Sequence, residues 1–246
     1  MSTLAIIQAR LKSTRLPGKV LFKVNEEDTI LGYQIKRYKL CSKIDKIIVA
    51  TSTNPENDAI IDECRRLNID CFRGSEDDVL NRYHLCSLAY PNYQHIIRLT
   101  SDCPLNDPAI INNLIDLFFS QSVDFASTSA ENYETFPDGI GGEVFTKELL
   151  ALAASSARLP AEREHVTPIM RKNKKIKKSF FNYPENLSRY RLTLDYPEDF
   201  EVIKFLIAHS PIDAPLSHYV DLLDKNPHIF NLNSRYTDNS GFKKYY

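Results

Sequence analysis

Four basic side chains lie close together near the amino terminus, and their spacing indicates a chemical task. They are Arg10, Lys12, Arg15 and Lys19. Like charges repel one another, so an anion is the simplest explanation for the cluster. The cations follow a short apolar run, and Pro17-Gly18 is a turn signal that interrupts any helix. A loop with fixed cations and free backbone N–H groups suits a polyphosphate, although a solvated basic loop would have the same sequence.

Two aspartates occupy segments with the same pattern, in which an apolar stretch ends in Asp and a proline follows two residues later. They are Asp102, before Pro104, and Asp195, before Pro197. If the two stretches are neighbouring strands, the carboxylates can share a Mg²⁺ ion, which is usually held by one or two carboxylates plus phosphate and water. The alternatives are that Asp102 forms a turn and that Asp195 caps the helix after it.

The elements that must position these side chains alternate between strand and helix in the first half of the chain. Such alternation predicts an α/β fold with a doubly wound, mostly parallel sheet, whose ligands bind beyond the carboxyl ends of the strands. The predicted strands are 4–8, 46–50, 69–72 and 95–99, with a loop at 51–55. The predicted helices are 29–41, 57–67, 77–90 with Ser75 as N-cap, and 108–119 with Asp107 as N-cap.

The second half of the chain is less regular. The predicted strands are 123–127, 143–145, 176–183 and 189–194, and the predicted helices are 147–157, 162–170, 199–208 and 216–223. No Gly- or Ser-rich linker divides the chain. We therefore predict one domain, 1–246, with an inserted substrate and interface segment from about 130 to 187.

Composition excludes several classes of protein. The 246 residues are 43% hydrophobic, which is enough for a sizeable core, and the net charge of −1 gives no case for nucleic acid or an anionic membrane as a partner. No apolar stretch approaches the ~20 residues of a membrane span. Five cysteines without a CxxC pair suggest neither a zinc site nor a disulfide framework, so a reducing cytoplasm is the expected location. The basic run at 171–178 is interpreted as a solvated turn and edge strand.

The stretch from Ile6 to Leu21, IIQARLKSTRLPGKVL, resembles the opening signature of the cytidylyltransferases that activate acidic sugars, the relatives of CMP-Kdo synthetase. It is most similar to their spore-coat polysaccharide branch. The family pattern A-R-x-x-S-T-R-L-P-G-K is present without interruption, and the metal motifs R-L-T-x-D-x-P and L-T-x-D-x-P-E-D-F also match. Two further segments resemble elements of the spore-coat branch. Residues 136–145 resemble its P-x-G-x-x-x-E-V-F element, and residues 162–168 resemble its R-E-H-V-T-P element.

The resemblance implies transfer of CMP from CTP to an acidic sugar with release of pyrophosphate, in a homodimeric enzyme, with GTP as an alternative donor. It implies Mg²⁺ on Asp102 and Asp195 and a catalytic role for both, together with Arg10, Arg15 and Lys19. The implied nucleotide-binding residues are Ala9, Arg10, Ser13, Arg15, Lys19, Thr51, Ser75 and Asp102. The implied sugar-binding residues are Asp138, Glu143, Arg163 and His165, for which structural roles are the alternative.

Two other functions fit parts of the sequence. A GT-A-like glycosyltransferase shares the doubly wound core and a metal, but it usually carries D-x-D at a strand end, which we do not find in the right place here. A non-catalytic nucleotide-binding protein should have lost loop cations or an aspartate, and all of them are present. Release of pyrophosphate distinguishes nucleotidyl transfer from both.

Overall fold

The computed structural model describes residues 2–129 and 135–236. A seven-stranded sheet in the order β3-β2-β1-β4-β6-β5-β7 forms the centre, and β6 runs antiparallel to both of its neighbours. The strands are β1 Thr3–Gln8, β2 Lys46–Ser52, β3 Asp70–Gly74, β4 His95–Thr100, β5 Phe125–Ser127, β6 Glu143–Thr146 and β7 Lys178–Phe180. The mostly parallel α/β sheet predicted from the sequence is confirmed.

Ten α-helices surround the sheet in the described part of the chain. They are α1 Ile30–Tyr38, α2 Asp58–Arg66, α3 Val79–Ala89, α4 Pro108–Ser120, α5 Lys147–Ser156, α6 Pro160–His165, α7 Pro168–Lys172, α8 Pro197–Ala208, α9 Leu216–Lys225 and α10 Pro227–Asn233. In the ranges 2–129 and 135–236, every helix is too short or too polar to cross a lipid bilayer.

The central strand β1 explains why the basic loop lies at the middle of the sheet edge. Its residues Leu4 to Ile7 have no exposed surface, because parallel strands cover both edges and helices cover both faces. Such a strand has a continuous apolar sequence. The chain therefore leaves the core abruptly after Gln8, beside the carboxyl ends of β2 and β4.

Several predicted boundaries in the first half are wrong in detail. Strand β2 continues through Thr51 and Ser52, because both pair with β3 where a loop was predicted. Helix α3 begins at Val79, and its N-cap is Asp78, whose carboxylate accepts from Asn81 N, rather than Ser75. Ser75 Oγ instead accepts from Asp78 N at 3.0 Å and shapes the turn before the helix.

The second half holds the larger errors. The helix predicted at 162–170 is two helices, because Val166 adopts φ +69 between them. The strand predicted at 176–183 forms ladder pairs only over Lys178–Phe180, at the sheet edge. The segment 189–194 is no strand of the sheet, since its ladder contact is one bridge between Arg191 and Asp138. Helix α8 begins at Pro197, two residues before the predicted start, and α10 was not predicted.

The segment predicted as a substrate and interface insertion also contributes to the sheet. Strands β6 and β7 both come from it, and β6 lies between β4 and β5. Its residues 130–134 lie outside the described part of the chain. The described portion of this segment therefore helps to build the core.

Asp107 joins two helices that lie far apart in the sequence. One carboxylate oxygen accepts from Ala109 N at 2.8 Å and caps α4, as predicted, and the other accepts from Leu216 N at 2.8 Å at the start of α9. Helix α9 belongs to a second hydrophobic cluster, separate from the one around β1. A single buried side chain thus fixes the two helices relative to one another.

We predict that Asp107→Ala lowers the free energy of unfolding by about 2–3 kcal/mol, because it removes a cap and leaves the buried Leu216 amide without its acceptor. Urea denaturation measures this change. Asp116→Ala on the same helix is the control, since its exposed pair with Lys43 should contribute less than about 1 kcal/mol. Equal losses in the two variants would contradict the proposed role of Asp107.

Candidate active site

The basic loop folds back on itself so that its last cation points into the protein. Gly18 N donates to Leu11 O at 2.9 Å, and Gly18 adopts φ +76, a left-handed conformation that glycine adopts without strain. Ser13 Oγ accepts from Leu16 N at 3.3 Å within the same loop. A short 3₁₀ helix then begins at Lys19, which is 8% exposed. The turn at Gly18 therefore directs the charged Lys19 side chain into the interior of the protein.

Lys19 lies between the two aspartates predicted to act together. Its Nζ is 2.9 Å from Asp195 Oδ1 and 3.4 Å from Asp102 Oδ2, and it donates to Leu194 O at 2.5 Å. Main-chain contacts bring the two segments together, because Leu194 N donates to Asp102 O at 2.8 Å. The predicted convergence of Asp102 and Asp195 is thus observed, although neighbouring strands do not produce it.

A buried network holds Asp195 from the opposite side. Arg191 reaches Asp195 Oδ2 at 3.3 Å and forms two contacts, at 2.9 and 3.2 Å, with Asp199. Asp199 Oδ2 accepts from the main-chain N–H groups of Asp195 and Tyr196 at 2.8 and 2.9 Å. Asn233 of α10 donates to Asp199 Oδ1 at 2.9 Å. The network therefore fixes both the backbone and the side chain of Asp195, and Asp199 rather than Asp195 caps α8.

Arg15 contacts Asp195 from the solvent side. Its guanidinium is 2.8 Å from Asp195 Oδ1 and lies over the Tyr196 ring at 5.1 Å from the centroid. Tyr196 in turn stacks on Tyr236 with ring centroids 4.0 Å apart. The Arg15 side chain is 49% exposed, whereas that of Lys19 is 9% exposed. The two predicted loop cations thus meet the same aspartate in very different environments.

Electrostatics in this region depend on the balance between burial and pairing. Burial by itself would raise the pKa of Asp102, but Lys19 and the Thr100 hydroxyl outweigh it and lower that pKa. Burial raises the pKa of Asp138 to about 6; Arg191 opposes this shift, and Asp195 and Asp102 reinforce it. Burial would lower the pKa of Lys19, yet the two aspartates raise it. Asp102 and Lys19 are therefore both charged at neutral pH.

Asp102 and Asp195 form a donor set that suits a hard divalent cation. Lys19 Nζ lies within 3.4 Å of an oxygen of each carboxylate, so the two side chains face one region, which already holds the lysine ammonium group. Within residues 2–129 and 135–236, no three His, Cys, Asp or Glu side chains are grouped so that they could bind a metal ion together. A metal ion here would need ligands from the substrate and from water. Mg²⁺ is commonly bound by one or two carboxylates while substrate phosphates and water complete its shell. The residues present fit that type of site.

The remaining residues predicted to bind nucleotide lie at or near the carboxyl ends of β1, β2 and β3, and Thr51 and Ala9 are buried there. Ala9 N donates to Ala50 O at 3.1 Å, which extends the pairing of β1 with β2, and Thr51 is fully buried in β2. Ser75 is exposed at the end of β3. Arg10 lies 3.5 Å from Glu164 at the end of α6, so it is not paired with the aspartates that Arg15 and Lys19 contact. The structure therefore distributes the predicted set along one rim.

Glu143, predicted to bind sugar, is 4% exposed and surrounded by cations. Its carboxylate pairs with Arg98 at 2.7 Å and Arg171 at 2.5 Å, and accepts from Thr167 Oγ1 at 2.9 Å. Arg98 and Arg171 lower its pKa although burial opposes the shift. A cleft of about 130 Å³ borders this network and reaches Cys103, beside Asp102. Glu143 thus holds together the wall of a cleft next to the two aspartates.

The other predicted sugar-binding residues occupy separate positions. Arg163 pairs with Asp78 at 3.2 Å and donates to Ala157 O at 2.9 Å. Burial lowers the pKa of His165; the Glu164 carboxylate opposes this shift, and the charges of Arg98 and Arg10 reinforce it, so the neutral imidazole is favoured at pH 7. Asp138 is 2.6 Å from Arg191. Asp138 is thus the member of this set that joins the Arg191 network.

Sequence reasoning missed several residues that organise the site. Arg191 was assigned to a strand, Arg171 was counted among solvated cations although it is 3% exposed, and Asn233 was not considered. Arg98, the partner of Glu143, was also not recognised, and a signal for Arg98 and Arg191 was present in the motifs. Arg98 and Arg191 each precede their aspartate by four residues, in R-L-T-S-D and R-L-T-L-D. The repeated spacing could have marked both as partners of buried carboxylates.

A doubly wound sheet with a basic loop after β1 and two aspartates at the same edge is the arrangement expected for a nucleotide-binding enzyme such as a nucleotidyltransferase. The cytidylyltransferase family model matches residues 4–230. The chain is 35% identical over 234 residues to the spore coat polysaccharide biosynthesis protein SpsF of Bacillus subtilis, covering 91% of this chain and 95% of SpsF. The chain belongs to the cytidylyltransferase family.

Solved structures agree with this assignment. A cytidylyltransferase from Leptospira borgpetersenii superposes with a TM-score of 0.88 at 34% identity, covering 94% of this chain and 97% of that one. A CMP:2-keto-3-deoxy-manno-octonic acid synthetase complexed with CTP has a TM-score of 0.65 at 15% identity, covering 85% and 99% of the two chains. At 15% identity, the second comparison shows a shared fold and nothing further.

We predict that Glu143→Gln lowers the free energy of unfolding by about 3 kcal/mol at pH 7, because it leaves two buried guanidinium groups with no carboxylate between them. Because its folded-state pKa is lowered, Glu143 stabilises the protein above the ordinary Glu pKa, and this contribution is lost as the pH falls towards the folded-state value. Urea denaturation should therefore show a difference between wild type and variant that is constant from pH 7 to about 5 and shrinks as the pH falls below the ordinary Glu pKa of 4.5.

Glu148→Gln, at an exposed position at the start of α5, is the control and should change stability little at either pH. If Glu143→Gln were as stable as this control, the carboxylate would have no structural role, and a direct contact with substrate would be the better explanation.

Proposed function

We propose that this protein transfers CMP from CTP to a hydroxyl group of an acidic sugar and releases pyrophosphate. The observation that carries the proposal is the position of Lys19, a buried cation between two aspartates at the carboxyl edge of the sheet. Buried cations beside carboxylates suit a triphosphate whose charge is partly offset by a divalent metal ion.

Similar proteins support the choice of donor and acceptor. The structural neighbour complexed with CTP has a name that refers to 2-keto-3-deoxy-manno-octonic acid, an acidic sugar. SpsF is named for a polysaccharide pathway. We therefore propose CTP as donor, ahead of GTP, and an acidic sugar destined for a surface polysaccharide as acceptor.

Different residues of this chain would bind the triphosphate, hold the metal ion and orient the acceptor. The acceptor oxygen forms a bond to the α-phosphorus of CTP as its hydroxyl proton passes to solvent water, and the bond to the bridging oxygen of the leaving pyrophosphate breaks. Arg10, Arg15 and Lys19 would bind the triphosphate and stabilise the negative charge that develops on pyrophosphate. Asp102 and Asp195 would hold Mg²⁺, which when bound lowers the pKa of the acceptor hydroxyl. Asp138 and His165 are the side chains we propose for orienting the acceptor.

We expect Asp102→Asn and Asp195→Asn each to reduce turnover at least 100-fold without unfolding the protein, because each removes a fixed charge from the reacting centre. The measurement is pyrophosphate release with Mg²⁺, across four nucleoside triphosphates and a panel of sugar acids. Asp62→Asn, at an exposed pair with Arg65 on α2, should behave as wild type.

Wild-type activity in both aspartate variants would overturn the metal assignment. Pyrophosphate release with GTP but not CTP would overturn the choice of donor. Transfer of a sugar from a nucleotide sugar without pyrophosphate release would favour a GT-A-like glycosyltransferase instead.

We further expect Asp199→Asn to weaken Mg²⁺ activation about 10- to 100-fold, because Asp199 orients Asp195 through its main chain and through Arg191. The Mg²⁺ concentration for half-maximal rate measures this effect. Glu198→Gln, the adjacent acid at the surface, is the matched control and should leave that concentration unchanged. An equal change in both variants would indicate a general effect of charge near α8.

A further inference from the structure

One oxygen of Asp195 is shared by two cations. Oδ1 lies 2.9 Å from Lys19 Nζ and 2.8 Å from an Arg15 guanidinium nitrogen. A carboxylate oxygen has two lone-pair sites. A metal ion that binds at Oδ1 must therefore take the place of one of these cations.

Lys19 is poorly suited to leave. Its side chain is 9% exposed, and its ammonium group also contacts Leu194 O and Asp102, so moving it would expose buried partners. Arg191 on the other oxygen is equally fixed, because its side chain is 5% exposed and bonded to Asp138 and Asp199. These contacts hold both cations in place.

Arg15 differs from both. Its side chain is 49% exposed and extends from a surface loop, and the face of Tyr196 lies beside it. The Asp195 side chain is only 16% exposed, so the ease of exchange comes from Arg15, whose guanidinium is solvated and gains little from this one contact. Rotation about side-chain bonds is enough to move the guanidinium from Asp195 to a ligand at the loop.

We propose that Arg15 is an exchangeable counter-ion that neutralises Asp195 and transfers its guanidinium to the triphosphate when metal and nucleotide bind together. This inference rests on the proposed function, since it needs a metal ion at Asp195 and a phosphate at the loop. Metal binding and nucleotide binding must then reinforce each other, because the nucleotide draws away the cation that competes with the metal.

The proposal gives Arg15 two roles, as a competitor of the metal ion and as a ligand of the triphosphate. Replacing Arg15 should therefore raise the affinity for the metal ion and lower the affinity for the nucleotide. Arg15→Gln should bind Mn²⁺ more tightly than wild type in the absence of nucleotide, by about two- to fivefold, which corresponds to the loss of an exposed ion pair. The same variant should bind CTP more weakly, and CTP should enhance its Mn²⁺ affinity less than in wild type. Electron paramagnetic resonance of free Mn²⁺ and calorimetric titration with CTP measure these quantities without turnover.

Lys12→Gln is the matched control, because it removes the same charge from an exposed position in the same loop. It should change Mn²⁺ affinity less than Arg15→Gln does. Asp195→Asn should abolish the Mn²⁺ binding that is being measured, which verifies the site.

Unchanged or weaker Mn²⁺ binding in Arg15→Gln, or equal tightening in Lys12→Gln, would overturn the exchange of Arg15. If Asp195→Asn still abolished both Mn²⁺ binding and pyrophosphate release, the proposed function would remain. Mn²⁺ binding that is insensitive to Asp195→Asn would overturn the metal assignment and this inference together.

Discussion

The contact of one buried lysine with two aspartates is the interaction on which the site depends. Lys19 comes from the loop after the first strand, whereas Asp102 and Asp195 come from the middle and the last third of the chain. Burying an ammonium group has a desolvation cost. Hydrogen bonds from each of its N–H groups to a carboxylate or a carbonyl oxygen offset that cost. The loop, the turn after β4 and the start of α8 must therefore all be in place before this lysine can be buried.

A second constraint is the concentration of negative charge around Asp195. Four aspartates, at positions 102, 138, 195 and 199, lie in the region that Lys19, Arg15 and Arg191 neutralise. Arg191 contacts three of them, at positions 138, 195 and 199, from a segment that makes one isolated bridge instead of joining the sheet. Its side chain therefore links the loop that carries Asp138 to the start of α8.

The first half of the fold was predictable because its signals are local. Apolar runs of strand length separated by amphipathic segments determine β1 to β4, and Asp107 with Pro108 marks the start of α4. The second half depends on contacts between distant segments. Strand β6 enters the sheet antiparallel between β4 and β5, and no local pattern indicates this because pairing of distant segments decides it. The break at Val166 did have a local signal, Pro168, which starts α7 and disfavours helix at the residue before it, but the prediction of one helix over 162–170 discounted it.

The sequence by itself determined the family and the residue types at the candidate site: a cation-rich loop after a buried strand and two aspartates in matching motifs, which are the basis of the proposed metal–triphosphate site. The tertiary structure decided which cation meets which carboxylate. Arg15 and Lys19 contact Asp195 while Arg10 pairs with Glu164, and Glu143 lies buried between Arg98 and Arg171. Residue types fix the charges, but burial and distance fix their energies, and both arise only when remote segments of the chain pack together.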